Sequence, residues 1–241
     1  EMTALEKSLW DTTLYKFMIC SPANGFISSN GTMVVPCTGI MNNSNMASAI
    51  LYKTVGGEWI FSAPTATNGD NESVAFEGID GSIYLNCRNE NFGYLRPTYK
   101  LNPEDGSLES VYNGFNPNII LQCCITKCTI DSDTCYLMTF ADPTAYNERN
   151  RITVWASADG IRWTRVLRMT GNTVTAGYAM ISCYNGKCVM VWENDRWTCR
   201  TIGYADLTPA LELLKQSSLM CGDNPDERIH RVACYEKGIN V

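Results

Sequence analysis

Tight turns between short β-prone segments constrain the fold of this chain most. Three turn dipeptides, Asn30-Gly31, Asp80-Gly81 and Asn185-Gly186, each separate two runs rich in β-branched and aromatic residues. Asn-Gly and Asp-Gly favour the two-residue hairpin turn, because both of its central residues need a positive φ. We therefore expect a chain built from antiparallel β-hairpins.

The segments around these turns predict three hairpins: Gly25–Ser29 with Thr32–Pro36, Val74–Gly78 with Ser82–Asn86, and Ala179–Tyr184 with Lys187–Glu193. The same composition predicts seven further strands: Ala49–Lys53, Trp59–Ser62, Tyr94–Leu101, Ile119–Ile125, Tyr136–Phe140, Ile152–Ser157 and Arg162–Met169. Hairpins that recur about every 40–50 residues are typical of a β-propeller, in which each blade is a four-stranded sheet. The sequence therefore predicts an all-β chain of propeller type.

One helix is predicted near the end of the chain. Thr208 is expected to cap it, Pro209 suits its first turn, and Ala210–Leu219 carries leucines at helical spacing. We therefore divide the chain into a partial propeller, residues 1–205, and a short helix with a cysteine-containing tail, residues 206–241.

Composition excludes some classes of function. Of the 241 residues, 45% are hydrophobic and 18% charged, which is typical of a globular protein with a substantial core. The net charge of -6 argues against a nucleic-acid partner, which needs a basic face. No apolar run is long enough to span a membrane. The chain begins at Glu1 without a signal peptide, so we expect a mature or cleaved polypeptide.

The twelve cysteines are an even number that suits an oxidising compartment, and they predict a secreted or extracellular cell-surface protein. Neither a pair of Cys-x-x-Cys units nor a histidine besides His230 occurs, so no metal site and no cofactor are predicted. Three disulfides are predicted between cysteines close in sequence: Cys183–Cys188, Cys128–Cys135 and Cys221–Cys234. The alternative is that some cysteines are buried thiols. Adjacent Cys123 and Cys124 would point to opposite faces of a strand and so meet different partners.

Five polar residues lie at the ends of predicted strands: Glu72, Arg88, Arg149, Tyr178 and Glu193. Arginine binds a carboxylate through two parallel hydrogen bonds, and tyrosine becomes a nucleophile only when a base takes its proton. Each residue alone has an ordinary alternative. Glu72 suits a solvated turn, Arg88 a surface ion pair, Tyr178 a packed core and Glu193 a strand end.

The order of these segments resembles the sialidase superfamily, in particular its trypanosomal sialidase and trans-sialidase branch. The matching segments are Gly25-Phe26-Ile27-Ser28-Ser29-Asn30-Gly31, Asn71-Glu72-Ser73, Leu85-Asn86-Cys87-Arg88, Arg149-x-Arg151-Ile152-Thr153-Val154-Trp155, Gly177-Tyr178 and Trp192-Glu193. Residues 157–163 resemble a shortened Asp box, the turn that ends sialidase blades, and Tyr52–Trp59 resembles a more decayed copy. The resemblance implies a six-bladed β-propeller of sialidase type, of which this chain holds about the C-terminal two thirds.

The resemblance also implies a retaining exo-α-sialidase. Glu72 would deprotonate Tyr178, the nucleophile, while Arg88 and Arg149 would bind the carboxylate of sialic acid. Glu193 would orient the first of the family's three carboxylate-binding arginines. A neutral phenol suits this substrate, because a carboxylate nucleophile would be repelled by the charge of the sugar. Sialidases are the tyrosine exception among glycosidases that otherwise use two carboxylates.

Two departures from the family pattern matter. No Arg-Ile-Pro segment with an acidic partner precedes Gly25, so the first arginine and the aspartate acid are missing. An N-terminal fragment of the same precursor, or another protein chain, would then complete the site. The alternative is an inactive relative that binds sialoglycans or a protein partner. Asn147 replaces an acceptor-side tryptophan, which argues against transfer and leaves hydrolysis or simple binding. Ala179 replaces the serine that usually follows the nucleophile.

Three N-glycosylation sequons begin at Asn30, Asn42 and Asn71. Asn30 and Asn42 are candidate glycosylation sites. Asn71 is expected to be unoccupied, because its glycan would lie beside Glu72.

Overall fold

The structure is a computed structural model that describes residues 14–89, 91, 96–112, 121–130, 133–141, 150–170, 176–194 and 201–209. These residues hold sixteen β-strands in four antiparallel sheets. The chain divides into two compact units, the first ending at Gln122 and the second beginning at Cys123. The all-β prediction is confirmed, while the count of six blades remains a prediction.

The first unit contains two sheets. The first sheet consists of β1 (Tyr15–Cys20), β2 (Phe26–Ile27), β3 (Met33–Met41), β4 (Met46–Lys53) and β5 (Trp59–Phe61), in the order β1-β3-β4-β5 with β2 also paired to β3. The second sheet consists of β6 (Asp70–Glu77), β7 (Ile83–Asn89), β8 (Thr98–Leu101) and β9 (Leu108–Tyr112), in chain order. Such up-and-down sheets of sequential strands have the connectivity of propeller blades.

The core of this unit lies between its two sheets. Strand β6 packs against β3 and β4, and the facing side chains form one buried apolar cluster. Its largest members are Ile50 and Tyr52 from the first sheet and Leu85 and Tyr99 from the second. The hydrophobic burial of alternate residues therefore fixes which side of each strand faces inward.

The second unit also contains two sheets. One consists of β10 (Cys124–Ile130), β11 (Asp133–Ala141), β12 (Ile152–Ser157) and β13 (Thr164–Arg168). The other consists of β14 (Ala176–Tyr184), β15 (Lys187–Asn194) and β16 (Thr201–Asp206). Strand β14 packs against β10 and β11, and the side chains of Leu137, Phe140, Ile181 and Met190 are buried there.

All three predicted turns lie where they were expected, but only Asn185-Gly186 is a two-residue turn. At the other two, Ser28 N–H donates to the Thr32 carbonyl and Gly78 N–H to the Ser82 carbonyl, so each loop has three residues. Gly31, Gly81 and Gly186 have φ angles of 83°, 75° and 72°, and Asn185 has a φ of 49°. The two central residues of the Asn185-Gly186 turn thus both lie in the left-handed region that a two-residue hairpin requires.

Residues 157–163, between β12 and β13, form a hydrogen-bonded turn around Asp159. Its Oδ1 accepts the backbone N–H groups of Ile161 and Arg162, both at 2.8 Å, and Ser157 Oγ accepts that of Gly160 at 2.8 Å. Burial acts to raise the pKa of Asp159, but the N–H donors of Arg162 and Ile161 outweigh it and hold that pKa below its ordinary value. The carboxylate therefore fixes this turn, whose identity as an Asp box remains a prediction.

The predicted strand Ile119–Ile125 is wrong in its position, because residues 121–123 are not in a strand and β10 begins at Cys124. The predicted strand Tyr94–Leu101 begins only at Thr98 in the structure, and Pro97 just before it has no N–H to give to a ladder. Three strands were not predicted: β1, β9 and β16.

The predicted helix Ala210–Leu219 lies outside the described residues. Thr208 and Pro209 adopt helical conformation, but the Thr208 hydroxyl accepts the N–H of Cys188 at 3.1 Å, which ties it to β15. No helix in the described part of the chain is long and apolar enough to cross a membrane.

Candidate functional site

Glu72 lies at a β-bulge near the start of β6. Asn71 pairs with Arg88 and Val74 with Asn86, so β6 has one more residue than β7 over this stretch. Glu72 has a φ of 36°, which is uncommon for a residue with a side chain. The next residue, Ser73, is fully buried, and its hydroxyl donates to the Cys37 carbonyl at 3.2 Å. The bulge is therefore anchored on the first sheet while it redirects the Glu72 side chain.

Glu72 and Arg88 form an ion pair across β6 and β7. Arg88 Nη1 donates to Glu72 Oε2, and the side chains of Arg88 and Glu72 are only 12% and 19% exposed, respectively. Removing one member of such a sheltered pair is costly, because the other is left poorly solvated. The structure thus brings together the predicted base and one predicted carboxylate-binding arginine.

Buried polar residues lie at the same end of this sheet. Asp70 accepts hydrogen bonds from Asn89 Nδ2 and from the Tyr99 hydroxyl, both at 2.6 Å. Arg96, whose side chain is fully buried, donates to Asn86 Oδ1 at 2.9 Å and to the Leu121 carbonyl at 2.6 Å.

Burial raises the pKa of the Asp70 carboxyl, although the bonds from Asn89 and Tyr99 act in the opposite direction. The network links the first strand of this sheet to β7 and β8. It therefore stiffens the end of the sheet at which Glu72 and Arg88 meet.

Tyr178 lies at a second bulge, on β14 of the other unit. Gly177 pairs with Glu193 and Ala179 with Trp192, so Tyr178 is the extra residue. Its side chain is half-buried, between buried Gly177 and buried Ala179. The bulge thus redirects Tyr178 relative to the regular alternation of the strand.

Glu193 lies on β15, next to this bulge. It pairs with Gly177 on one side and with Ile202 of β16 on the other, and it is half-buried. Its neighbour Trp192 lies across Gly203, where an added Cβ would come within 2.0 Å of the indole ring. The structure therefore places the predicted nucleophile and the predicted orienting glutamate at the same end of one hairpin, on neighbouring strands.

Two predicted site residues, Arg149 and Asn147, lie outside the described residues. The segment just after them is described. Asn150 is buried, and Arg151 is half-buried with a φ of 52°. The roles assigned to Arg149 and Asn147 remain predictions.

The cysteine predictions have mixed outcomes. The Cys183–Cys188 disulfide is confirmed. The Cys128–Cys135 disulfide is a wrong prediction, because both residues are thiols in the structure. Cys221 and Cys234 lie outside the described residues.

Strand register explains the difference between the two described pairs. The Cys188 carbonyl accepts the N–H of Leu207 and the Cys188 N–H donates to the Thr208 hydroxyl, both away from Cys183. Cys183–Cys188 is therefore a non-hydrogen-bonded pair with close side chains. Counted from the turn, Cys183–Cys188 is the second residue pair of its hairpin, whereas Cys128–Cys135 is the third pair of its own. Hydrogen-bonded and non-hydrogen-bonded pairs alternate along an antiparallel ladder. Cys128–Cys135 therefore falls in the hydrogen-bonded class, where the Cβ atoms are further apart than a disulfide prefers.

A further cross-strand cysteine pair, Cys20–Cys37, was not predicted from the sequence. Cys20 on β1 lies directly opposite Cys37 on β3, and both are thiols. Their separation of 17 residues gave no hairpin signal, because β2 intervenes between the two strands. Asp70 and Arg96 were missed for a similar reason, since their partners are distant in sequence.

The sequons differ in accessibility. Asn30 is exposed at its turn, where its Oδ1 accepts hydrogen bonds from Ser28 Oγ at 2.6 Å and Thr32 N–H at 3.1 Å. Asn42 is also exposed, while Asn71 is only 5% exposed. The folded protein thus shields Asn71. Whether any sequon carries a glycan remains a prediction.

No protein-family model matches this chain, and no curated protein matches it. Solved structures do. Trypanosoma rangeli sialidase superposes with a TM-score of 0.74 and 19% identity over 87% of this chain and 36% of that chain. The same enzyme also matches as its covalent intermediate with 2,3-difluorosialic acid, with a TM-score of 0.72.

Two bacterial or microbial structures match as well. The Hadza microbial sialidase Hz136 has a TM-score of 0.70 and 20% identity over 85% of this chain and 40% of that chain. The intramolecular trans-sialidase from Ruminococcus gnavus has a TM-score of 0.60 and 16% identity over 80% of this chain and 44% of that chain. The similarity to sialidases predicted from the sequence is therefore confirmed for the fold. The chain spans less than half the length of each of these proteins.

Proposed function

We propose that this chain supplies part of the active site of an exo-α-sialidase, a retaining glycoside hydrolase that removes terminal sialic acid from sialoglycoconjugates. The observation that carries the proposal is that β-bulges occur at both residues to which the family resemblance assigns the chemistry, Glu72 and Tyr178. Bulges are frequent beside active sites, where they redirect single side chains out of a regular ladder. The sialidase fold of the chain supports the same function.

In the proposed reaction Tyr178 is the nucleophile and Glu72 its base. Glu72 takes the phenolic proton as the Tyr178 oxygen attacks the anomeric carbon, and a covalent glycosyl-tyrosine forms while the leaving sugar departs. A general acid outside this chain protonates the leaving sugar, and its conjugate base then takes a proton from the water that attacks the same carbon. The bond to Tyr178 breaks, and Glu72 returns its proton to the phenolate. Two displacements at one carbon retain the anomeric configuration.

Arg88 has two proposed tasks. It binds the carboxylate of sialic acid, together with Arg149, and it holds Glu72 in place through their ion pair. A guanidinium can do both, because it has five N–H donors in a planar fork. Glu193, adjacent to Tyr178 in the sheet, is proposed to orient an arginine that binds the same carboxylate.

The general acid and the remaining arginine would come from the rest of the protein or from a partner chain. Without them, the chain alone is expected to hydrolyse sialosides slowly or not at all, because general acid catalysis is typically worth about 10²–10⁴-fold in rate. The disulfide Cys183–Cys188 supports the further proposal that the protein is secreted or displayed at the cell surface.

Binding of a sialoside tests the proposal without requiring turnover. Ligand-observed NMR with sialyllactose should detect binding to the native chain, and Arg88→Lys should weaken it about tenfold or more, since an ammonium lacks the bidentate fork. Arg162→Lys is the matched control, because the Arg162 side chain is 83% exposed and bonded to the Asp159 turn. Equal binding by the Arg88 and Arg162 variants would contradict the proposed role of Arg88.

A second candidate function is a module that binds sialoglycans or a protein partner without turnover. It needs only a held carboxylate-binding arginine, and Arg88 is held by its ion pair with Glu72. Both candidates predict sialoside binding, and only the first predicts a covalent bond to Tyr178.

A further inference from the structure

Four cysteines gather near the turn ends of two hairpins in the second unit. Cys128 and Cys135 lie opposite each other on β10 and β11, and Cys183 and Cys188 do so on β14 and β15. Strand β14 packs against both β10 and β11. One pair is a disulfide and the other is a pair of thiols, so the cluster holds both partners of a thiol–disulfide exchange.

The reacting sulfurs are already in contact. Cys128 Sγ lies 3.6 Å from Cys188 Sγ, and the sulfurs of Cys128, Cys183 and Cys188 all lie within 4.8 Å of one another. A disulfide bond is about 2.05 Å long, so rotation of one side chain can cover much of the remaining distance. No displacement of either strand by a full residue is needed.

Cys128 is also chemically suited to attack. A hydrogen bond from Cys135 lowers the pKa of the Cys128 thiol, against the effect of burial, and the thiolate is the nucleophile in exchange. The Cys20–Cys37 pair differs in this respect. Burial and the neighbouring Cys20 raise the pKa of Cys37 to about 12.

The sulfur that would be released is the accessible one. Cys183 is half-buried, whereas Cys128 and Cys188 are 1% and 0% exposed. A cleft of about 450 Å³ opens beside it, lined among others by Lys127, Cys183 and Tyr184. A thiol freed at Cys183 would therefore face this cleft rather than the core.

We propose that these cysteines form a thiol–disulfide exchange site that exposes a reactive thiol at Cys183. The Cys128 thiolate attacks Cys188 Sγ, the Cys128–Cys188 bond forms, the Cys183–Cys188 bond breaks, and the electron pair leaves on Cys183. Water takes the proton from Cys128 and returns one to Cys183, so there is no net oxidation or reduction. The exchange replaces a bond within one hairpin by a bond between two sheets, and the freed thiol is open to small disulfides and soft electrophiles.

Alkylation followed by peptide mapping tests this exchange in the native, unreduced chain. N-ethylmaleimide traps exposed thiols, and trypsin then separates the relevant cysteines, because it cuts after Lys127, Arg149, Arg168, Lys187 and Arg196. The expected product contains a disulfide between peptides 128–149 and 188–196, with the label on Cys183 of peptide 169–187. Fragmentation of the linked peptides should place the new bond on Cys128.

Two variants make the test specific. Cys128→Ala should abolish labelling of Cys183, whereas Cys37→Ala, which removes a thiol far in sequence from any described disulfide, should leave it unchanged. The wild-type map decides the matter even if a variant misfolds, since label and rearranged bond must occur in the same molecules. A map with only the Cys183–Cys188 link and no label on Cys183, or with closed Cys128–Cys135 and Cys183–Cys188 bonds, would overturn the proposal.

Discussion

The bulge at Glu72 and the bulge at Tyr178 place two different kinds of side chain by the same backbone device. At the first, a charged residue in a left-handed conformation is held by an ion pair with Arg88 of the facing strand. At the second, a phenol is flanked by small buried residues and by the packing of Trp192 on Gly203. The first site therefore depends on electrostatics within its sheet, whereas the second depends on close packing.

The largest effect is expected from Tyr178→Phe, which separates the chemistry of the second bulge from its packing. Tyr178→Phe removes only the hydroxyl, so sialoside turnover by the complete native protein should fall by about 10³-fold or more, while sialoside binding and stability change little. Steady-state kinetics with a fluorogenic sialoside measure the loss. Tyr204→Phe, an exposed tyrosine on β16, is the control and should keep full activity.

The next largest effect is expected when the ion pair that holds Glu72 at the first bulge is removed. Arg88→Ala should lower the free energy of unfolding by about 3 kcal/mol, because it leaves Glu72 partly buried without its arginine. Urea unfolding at neutral pH measures this difference. Lys100→Ala is the matched control in the same sheet, since the Lys100–Asp80 pair is 39% and 47% exposed and should cost less than about 1 kcal/mol. Equal costs for the two variants would contradict the account of the first bulge.

A substitution at Gly203 tests whether close packing against Trp192 supports the second bulge. Gly203→Ala would push a methyl group into the Trp192 ring and should cost about 1–3 kcal/mol. Tryptophan fluorescence should shift as the indole moves, and thermal unfolding should report the lost stability. Ala205→Gly, on the same strand, adds no atoms and should leave the fluorescence unchanged. An unaltered spectrum for Gly203→Ala would show that Trp192 is not held by this contact.

The smallest effect concerns the opposite end of the β6–β7 hairpin. Burial acts to raise the pKa of Asp80, but hydrogen bonds from Ser82 and Lys100 outweigh it and lower the pKa to about 2. Since the folded pKa lies below the ordinary value of 3.8, the stabilisation is present above about pH 4 and is lost as the pH falls towards 2.

Asp80→Asn should therefore cost less than about 1 kcal/mol at pH 7, because Asp80 is largely exposed, and this cost should vanish as the pH falls through 2. Urea unfolding of both proteins across this range checks the trend. A difference that grows as the pH falls would have the wrong sign.

The sequence predicts local features of this fold better than its long-range contacts. The Asn185-Gly186 turn and the disulfide beside it were predictable, because two adjacent residues determine the turn and the turn sets the register of its cysteines. The start of β10 was not, since the run from Ile119 to Ile125 is equally apolar on either side of it.

The same distinction between local features and long-range contacts applies to the candidate site. The identities of Glu72, Arg88, Tyr178 and Glu193 could be proposed from short motifs in family order. Their placement at bulges could not, because a bulge depends on how two strands pair rather than on the composition of one. The buried contacts of Arg96 and the meeting of Cys128 with Cys188 likewise depend on packing between segments that are distant in sequence.

Covalent labelling with 2,3-difluorosialic acid tests the central claim most directly. Fluoride can leave without being protonated, so the probe tests nucleophilic attack by Tyr178 without depending on the general acid. Mass spectrometry of the native protein should find the adduct on Tyr178, within tryptic peptide 169–187, and it should be absent from Tyr178→Phe. Reversible binding of the probe without an adduct, or an adduct on another residue, would contradict the assignment of Tyr178 as the nucleophile.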